Sequence, residues 1–193
     1  WMVGDALKTL SFTKNYRRAS FFQKELKIFI NNVIDGNLPL EQRGSYAGAF
    51  GLTQFIPSSF ENYSVSFTQG KKFGDLNTLE DALASSAAYL QRSGWVQGAQ
   101  IAVNFSDAPA LSSLPRASKN NPRPLYMTED YPDLGLLESQ NFCVLDLEDG
   151  DKTWIGLNNF YALTRYNHST NYAMVIFQIS QELGEVECEL FGC

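Results

Sequence analysis

The chain has one histidine, His168, and three cysteines, Cys143, Cys188 and Cys193, in 193 residues. No cluster of these side chains has the spacing of a ligand set, so no bound metal and no cofactor is expected. Basic residues are also few. Fifteen Lys and Arg stand against 21 Asp and Glu, and the net charge of −6 excludes a nucleic-acid backbone as a partner. No apolar run is long enough to cross a bilayer, and Trp1-Met2-Val3-Gly4-Asp5 lacks the charge and apolar stretch of a signal peptide. Repeats and low-complexity stretches are absent, and hydrophobic residues outnumber charged ones, 44% to 19%, as in globular chains. A chain of this length buries enough apolar surface to fold without disulfides. Cys143 on an apolar strand reads as a small hydrophobe, whereas Cys188 and Cys193 are close enough to bridge in an oxidising compartment.

What is abundant is aromatic: 14 Phe, 9 Tyr and 3 Trp. Flat rings stack on sugar faces and equally fill cores, so this excess alone names no substrate. Ser20-Phe21-Phe22-Gln23 has the form of a capping box, and Phe22, Leu26, Phe29 and Val33 then recur along one helical face, which places Glu25 on the exposed side. Asp35-Gly36-Asn37 ends that helix. Gly44, Gly48 and Gly51 predict sharp turns or close backbone approach, and Pro57 opens another helix. Thr78 and Asp81 suit a cap, followed by an apolar stripe of Leu79, Leu83, Ala87 and Leu90 that stops at Gly94.

After that the pattern changes. Residues 101–105 read as a strand, and the next forty residues hold five of the seven prolines. The stretches 141–147 and 152–157 read as strands joined by the turn Glu148-Asp149-Gly150-Asp151. Helical period returns from Ser169, with Tyr172, Ile176 and Ile179 on one side, and ends near Gly184. The expected class is mainly α (α+β). Residues 1–99 and 158–184 form a helical core, 100–157 a small β-containing insertion and 185–193 a tail.

Two long motifs carry a resemblance. Gly44-Ser45-Tyr46-Ala47-Gly48-Ala49-Phe50-Gly51-Leu52-Thr53-Gln54-Phe55-Ile56-Pro57-Ser58-Ser59-Phe60 resembles the signature of the membrane-bound lytic murein transglycosylase B family. The stretch from Asn159 to Met174, with Thr164-Arg165-Tyr166-Asn167-His168-Ser169-Thr170 at its centre, resembles the second hallmark. Asp5 to Phe12, Arg17-Arg18, and Asp81-Ala82 through Gly94-Trp95 add to it, so it extends over nearly all of residues 5 to 183.

The resemblance implies a lysozyme-like core with a groove for glycan strands of alternating N-acetylglucosamine and N-acetylmuramic acid. Cleavage proceeds without water: one glutamate protonates the leaving oxygen and then, as base, helps the muramoyl C6 hydroxyl attack C1, leaving a 1,6-anhydro end. A single carboxyl suffices when its site raises its pKa, unlike the paired carboxylates of most glycosidases. By position, Ser45, Gln54, Tyr166, Asn167 and Tyr172 correspond to groove-lining residues. Arg17 and Arg18 correspond to an Arg pair expected near carboxylate or peptide groups, which a guanidinium fork suits. Read without the family, Ser45 is a turn residue, Gln54 a cap, Tyr172 a core ring and the arginines a solvated pair. The family carries the His168 position without using it as the acid.

The resemblance further implies peptidoglycan as partner and a periplasmic, outer-membrane-associated location. It leaves room for a lipid anchor before Trp1 and for contacts with cell-wall synthesis or division proteins. Some members bind calcium in a loop after the Pro57 helix, but here Ser66 to Asp75 offers one carboxylate and two lysines, so no such site is expected. The catalytic glutamate of the family lies upstream of the segment matching Asp5-Ala6-Leu7, so no catalytic residue is assigned within this chain. Glu25, Glu41 and Glu61 do not stand in a comparable context, and Glu182, Glu185, Glu187 and Glu189 form an acidic tail. The leading account places the glutamate on a preceding stretch. The alternatives are a non-catalytic peptidoglycan-binding or scaffold relative, or a carboxylate moved into the site from elsewhere.

Overall fold

The computed structural model describes residues 1–68, 70–106, 109–117, 126–136, 139–147 and 152–191. The chain divides into two compact units, Trp1–Tyr89 and Leu90–Cys193.

In the first unit Trp1 and Met2 precede the first helix, and Met2 pairs with Arg43 in an isolated bridge. Helices α1 (Val3–Phe12) and α2 (Ala19–Ile34) pack on each other, and α3 (Pro57–Tyr63) packs on α2. The start of α3 has Pro at its first turn, as the sequence predicts. The expected capping box does not form. Arg18 holds the N-cap of α2 without a side-chain bond, Ser20 lies inside the helix, and Gln23 Nε2 donates to the Ser11 carbonyl at 3.0 Å. Phe22 and Phe29 are buried as the helical period requires, but Glu25 is buried with them, at 3% exposure. Helix α2 is therefore enclosed on a wider arc than its apolar residues mark. The core of this unit is aromatic. Phe50 and Phe60 lie 5.6 Å apart, and Phe55, Tyr63 and Tyr89 form a second group. Such offset and tilted pairs add to the area that the rings bury.

Helix α4 (Leu79–Arg92) carries the division between the units. Most of the predicted apolar stripe does not face inward: Leu79, Leu83 and Ala87 are exposed, Leu90 alone packs on a core cluster, and the buried side is Asp81, Ala82 and Ser85. Polar groups face inward there because they bond to a loop, not because the helix is turned away from the core.

The second unit is built on a small sheet: β1 (Ala102–Phe105), β2 (Arg116–Ala117), β3 (Tyr126–Met127), β4 (Asn141–Leu145) and β5 (Thr153–Gly156), with a short helix α5 (Pro109–Ser112) between β1 and β2. The order is β1-β5-β4-β2, with β3 also on β4. Strands β4 and β5 pair antiparallel, Cys143 opposite Gly156 and Val144 opposite Ile155. This is the predicted hairpin, whose turn at 148–151 lies outside the described residues. Strand β4 is apolar without alternation because both its faces are covered. Cys143 and Leu145 pack with Phe160, Leu163, Ala173 and Met174 from α6 (Asn158–Tyr166) and α7 (Thr170–Phe191), whereas Phe142 and Val144 pack with Leu111 and Leu157. Burial pushes the Cys143 thiol up to about 12, and the backbone at Gly156 offsets this only in part. It is an inert core side chain, as expected. The side chains of Cys188 and Cys193 lie outside the described residues, and so does their suggested bridge.

Helix α7 differs from expectation in face and length. Thr170, Ala173 and Met174 are its buried residues among those described, Ile176 and Ile179 are exposed, and the helix runs through Gly184 to Phe191. Glycine inside a helix costs only about 1 kcal/mol relative to alanine, which neighbouring helical residues outweigh. Among the described residues no helix is long and apolar enough to cross a membrane.

Asn159 ties α6 to the turn after α4. Its Oδ1 accepts the Val96 N–H at 2.8 Å, and Nδ2 donates to the carbonyls of Val96 and Ala99 at 2.8 and 2.9 Å, from a side chain that is itself fully buried. Replacing Asn159 with Leu removes three hydrogen bonds to partly solvated backbone groups and is expected to cost about 2–3 kcal/mol, read as a lower urea midpoint. An unchanged midpoint would refute this role.

Candidate functional site

Arg17, Arg18, Ser45 and Gln54 fall in the first unit, and Tyr166, Asn167 and Tyr172 in the second.

Ser45 begins a tight loop. Its N–H donates to the Ala49 carbonyl at 2.7 Å, and the Gly48 N–H returns to the Ser45 carbonyl at 3.0 Å. The hydroxyl oxygen accepts the N–H groups of Ala47 and Ala49 at 3.2 and 3.1 Å. A serine hydroxyl has two lone pairs and one proton, so these bonds use its acceptor capacity and leave the O–H to donate. The ring of Tyr46, held by the same loop, is 72% exposed.

Gln54 closes the next turn. Phe50 and Phe55 exchange backbone bonds at 2.9 and 3.1 Å, so residues 51–54 reverse the chain in four residues. The reversal needs left-handed backbone at Gly51 (φ 69°) and at Gln54 (φ 51°). A side chain at residue 51 is excluded because its Cβ would stand 2.4 Å from Leu76 Cβ. Gln54 adopts the left-handed region at a cost of about 1–2 kcal/mol, strain of the kind that clusters at functional sites. Its Nε2 donates to the Gly51 carbonyl at 2.9 Å, which aims the amide and leaves Oε1 as an acceptor. Gln54 is thus a turn residue and not the helix cap that its position before Pro57 suggested.

The helix that follows is anchored by Glu25, whose Oε2 accepts the Ser58 N–H at 2.9 Å. This carboxylate, expected on an exposed face, satisfies a donor at the start of α3. Arg18 lays its guanidinium over the rings of Phe21 and Phe22, 4.6 and 5.4 Å from their centroids. Arg17 is exposed. Among the described residues no hydrogen bond or ion pair joins either arginine to Ser45 or Gln54.

In the second unit, Tyr166 is the last residue of α6 and Asn167 caps it in extended backbone. The Ser169 N–H donates to the Asn167 carbonyl at 2.7 Å, and the Ser169 hydroxyl accepts the Tyr172 N–H at 3.3 Å at the start of α7. Tyr166, Asn167 and Tyr172 are therefore brought onto one short turn. Asn167 is exposed, and both tyrosines are half-buried, so they are not core rings. His168 is exposed on the same turn.

The model of the transglycosylase SLT domain matches residues 1–181. The chain belongs to that family. It is 41% identical over 184 residues to membrane-bound lytic murein transglycosylase B of Escherichia coli K12, covering 92% of this chain and 49% of that protein. The chain thus spans about half the length of this relative. Among solved structures, the Escherichia coli lytic transglycosylase Slt35 in complex with calcium aligns with a TM-score of 0.78 and 36% identity, over 96% of this chain and 60% of that one. SltB3 of Pseudomonas aeruginosa in complex with NAG-NAM-pentapeptide aligns with a TM-score of 0.70 and 30% identity, over 90% and 48%. The mainly α, α+β architecture with a small β subdomain is the lysozyme-like fold of these transglycosylases.

Sequence reasoning passed over Tyr46. The signal was available: an aromatic between Ser45 and Ala47 in a glycine-bounded turn has no core to enter. The strain at Gln54 can be tested by stability alone. Gln54→Gly is expected to be more stable than Gln54→Ala by about 1 kcal/mol in urea denaturation, because only glycine adopts this backbone freely. Equal stability would mean that the left-handed turn is not formed.

Proposed function

We propose that the chain forms the glycan-holding part of a peptidoglycan lytic transglycosylase. The observation that carries this reading is the turn at 45–55, braced by its own bonds and by the Leu76 carbonyl: the two amides on the Ser45 oxygen leave its O–H to donate, the Gln54 amide leaves Oε1 to accept, and the Tyr46 ring is exposed. A donor, an amide acceptor and a flat ring suit N-acetyl hexosamines, whose hydroxyl and acetamido groups need both senses of hydrogen bond and whose ring faces stack on aromatics. Asn167, exposed on the turn between Tyr166 and Tyr172, offers an amide donor and acceptor of the same chemistry. Arg17 and Arg18 supply cationic groups for the carboxylates of lactyl or peptide substituents.

On this reading the reaction cleaves the β-1,4 bond from N-acetylmuramic acid to N-acetylglucosamine. One glutamate, contributed by sequence preceding Trp1, donates its proton to the leaving oxygen and then receives the proton of the muramoyl C6 hydroxyl as that oxygen bonds to C1. The bond to the leaving oxygen breaks, the 1,6-anhydro bond forms, and no water is consumed. The side chains named here bind and orient the strand, keeping the C6 hydroxyl near C1. The related SltB3, solved with NAG-NAM-pentapeptide, supports such a substrate, and the membrane-bound name of the Escherichia coli relative supports a membrane-associated setting; the periplasm, where a murein substrate lies, is the compartment this reading implies.

A non-catalytic wall-binding relative is the second reading, and one observation bears on it. The two buried carboxylates of the first unit, Glu25 and Asp81, both accept backbone N–H groups, so on this reading neither is assigned as the acid. The readings separate on purified peptidoglycan. The protein carrying its upstream sequence is expected to release 1,6-anhydromuropeptides, whereas residues 1–193 alone bind and release none. Reducing-end products from the longer protein would overturn the transglycosylase reading; sedimentation with the wall without any release would establish the binding module.

A further inference from the structure

The loop joining α3 to α4 has little regular structure, yet its two ends are drawn to one side chain. Asp81, 6% exposed, accepts the Phe67 N–H on Oδ1 at 2.8 Å and the Asp75 N–H on Oδ2 at 2.7 Å. Two hydroxyls complete the closure. Ser85, fully buried, donates to the Asp81 carbonyl at 2.6 Å and accepts the Val65 N–H at 3.0 Å, and Ser64 accepts the Gly74 N–H at 2.8 Å. The loop then supports the turn that carries Gln54, because the Leu76 carbonyl accepts the Leu52 N–H at 2.7 Å.

A related structure holds calcium, so a loop closed by a divalent cation is the alternative to weigh. Calcium needs six to eight converging oxygens with charge among them. Here both Asp81 oxygens already face N–H hydrogens, whose positive ends point to where a cation would sit. Asp75 uses Oδ1 for the N–H and the amide of Asn77, at 3.0 and 2.9 Å. Lys71 and Lys72 add two positive charges, with the Lys72 ammonium over the Phe73 ring. Among the described residues no group of three His, Cys, Asp or Glu side chains is placed to hold a metal. The donor set does not fit calcium.

We propose that the Asp81 carboxylate, with the Ser64 and Ser85 hydroxyls, closes the 64–76 loop in the place of a divalent cation and so positions the Gln54 turn without metal. Charge-assisted bonds to backbone N–H groups are strong enough for this, and they impose a shape on the loop independent of ion supply. The inference does not depend on the glycan reading.

The test needs only the chain and its Asp81→Asn variant. Thermal unfolding of the wild type in about 5 mM calcium and in EDTA is expected to coincide within about 1 °C, since only a ligand that binds the folded state raises the midpoint. A calcium-dependent rise beyond that overturns the proposal. Asp81→Asn is expected to lower the midpoint by roughly 5–10 °C. It is also expected to abolish exchange protection at the Phe67 and Asp75 amides while leaving that of α1 in place. Retained protection at those two amides overturns the role of the carboxylate. If Asp81→Asn does not fold, Ser64→Ala reads the same closure, with a midpoint lowered by roughly 2–4 °C expected and an unchanged one contradicting it.

Discussion

Irregular backbone holds one shape only when its N–H and C=O groups find partners, and the stretch from Gly44 to Asn77 has one seven-residue helix to supply them. Side chains provide the rest. Ser45 bonds two amides of its own turn, Gln54 bonds the carbonyl three residues back, Glu25 reaches from α2 to the start of α3, and Asp81 reaches from α4 to both ends of the following loop. Removing any of these partners leaves a polar group without its bond, which costs more than the bond itself contributes. The candidate site therefore depends on a set of internal hydrogen bonds before it can present anything to a ligand.

This explains why the same residues read as both structural and functional. Ser45 is a turn residue, as its plain chemistry suggests, and the two amides it accepts fix where its proton can go. Gln54 sits in strained backbone, held by Gly51 behind it and by the Phe50 and Phe55 pairing around it. In the second unit Asn159 performs the structural task with all its polar atoms satisfied inside, whereas Asn167, on the turn after the same helix, is exposed. The difference between a fastener and a contact residue is what remains of its hydrogen-bonding capacity once the fold has formed.

Much of this was legible in the sequence. The glycine spacing at 44, 48 and 51 marked the turns because a Cβ at Gly48 or Gly51 overlaps Leu7 or Leu76. Strands at 101–105, 141–147 and 152–157 were legible because both faces of β4 are covered and its apolar run is unbroken. Periodicity failed where polar groups go inward. It placed Glu25 outside and Leu79 and Leu83 inside, since an apolar stripe cannot register a carboxylate whose partner is a backbone N–H 33 or 14 residues away. The capping box at Ser20 failed for a related reason: Gln23 had a better partner in the Ser11 carbonyl of the preceding helix. Family motifs located Ser45, Gln54, Tyr166, Asn167 and Tyr172, but they gave no information about which atoms of each remain available.

The central claim is the proposal that the motif-bearing turn of each unit offers a glycan side chains that the fold does not use. Calorimetric binding of an N-acetylglucosamine–N-acetylmuramic acid tetrasaccharide to the chain, compared with Tyr46→Ala and Asn167→Ala, tests it directly. The account predicts that each replacement weakens binding about tenfold, near 1.4 kcal/mol, with thermal unfolding unchanged because both residues are exposed. Equal affinity of all three proteins for the tetrasaccharide would contradict it.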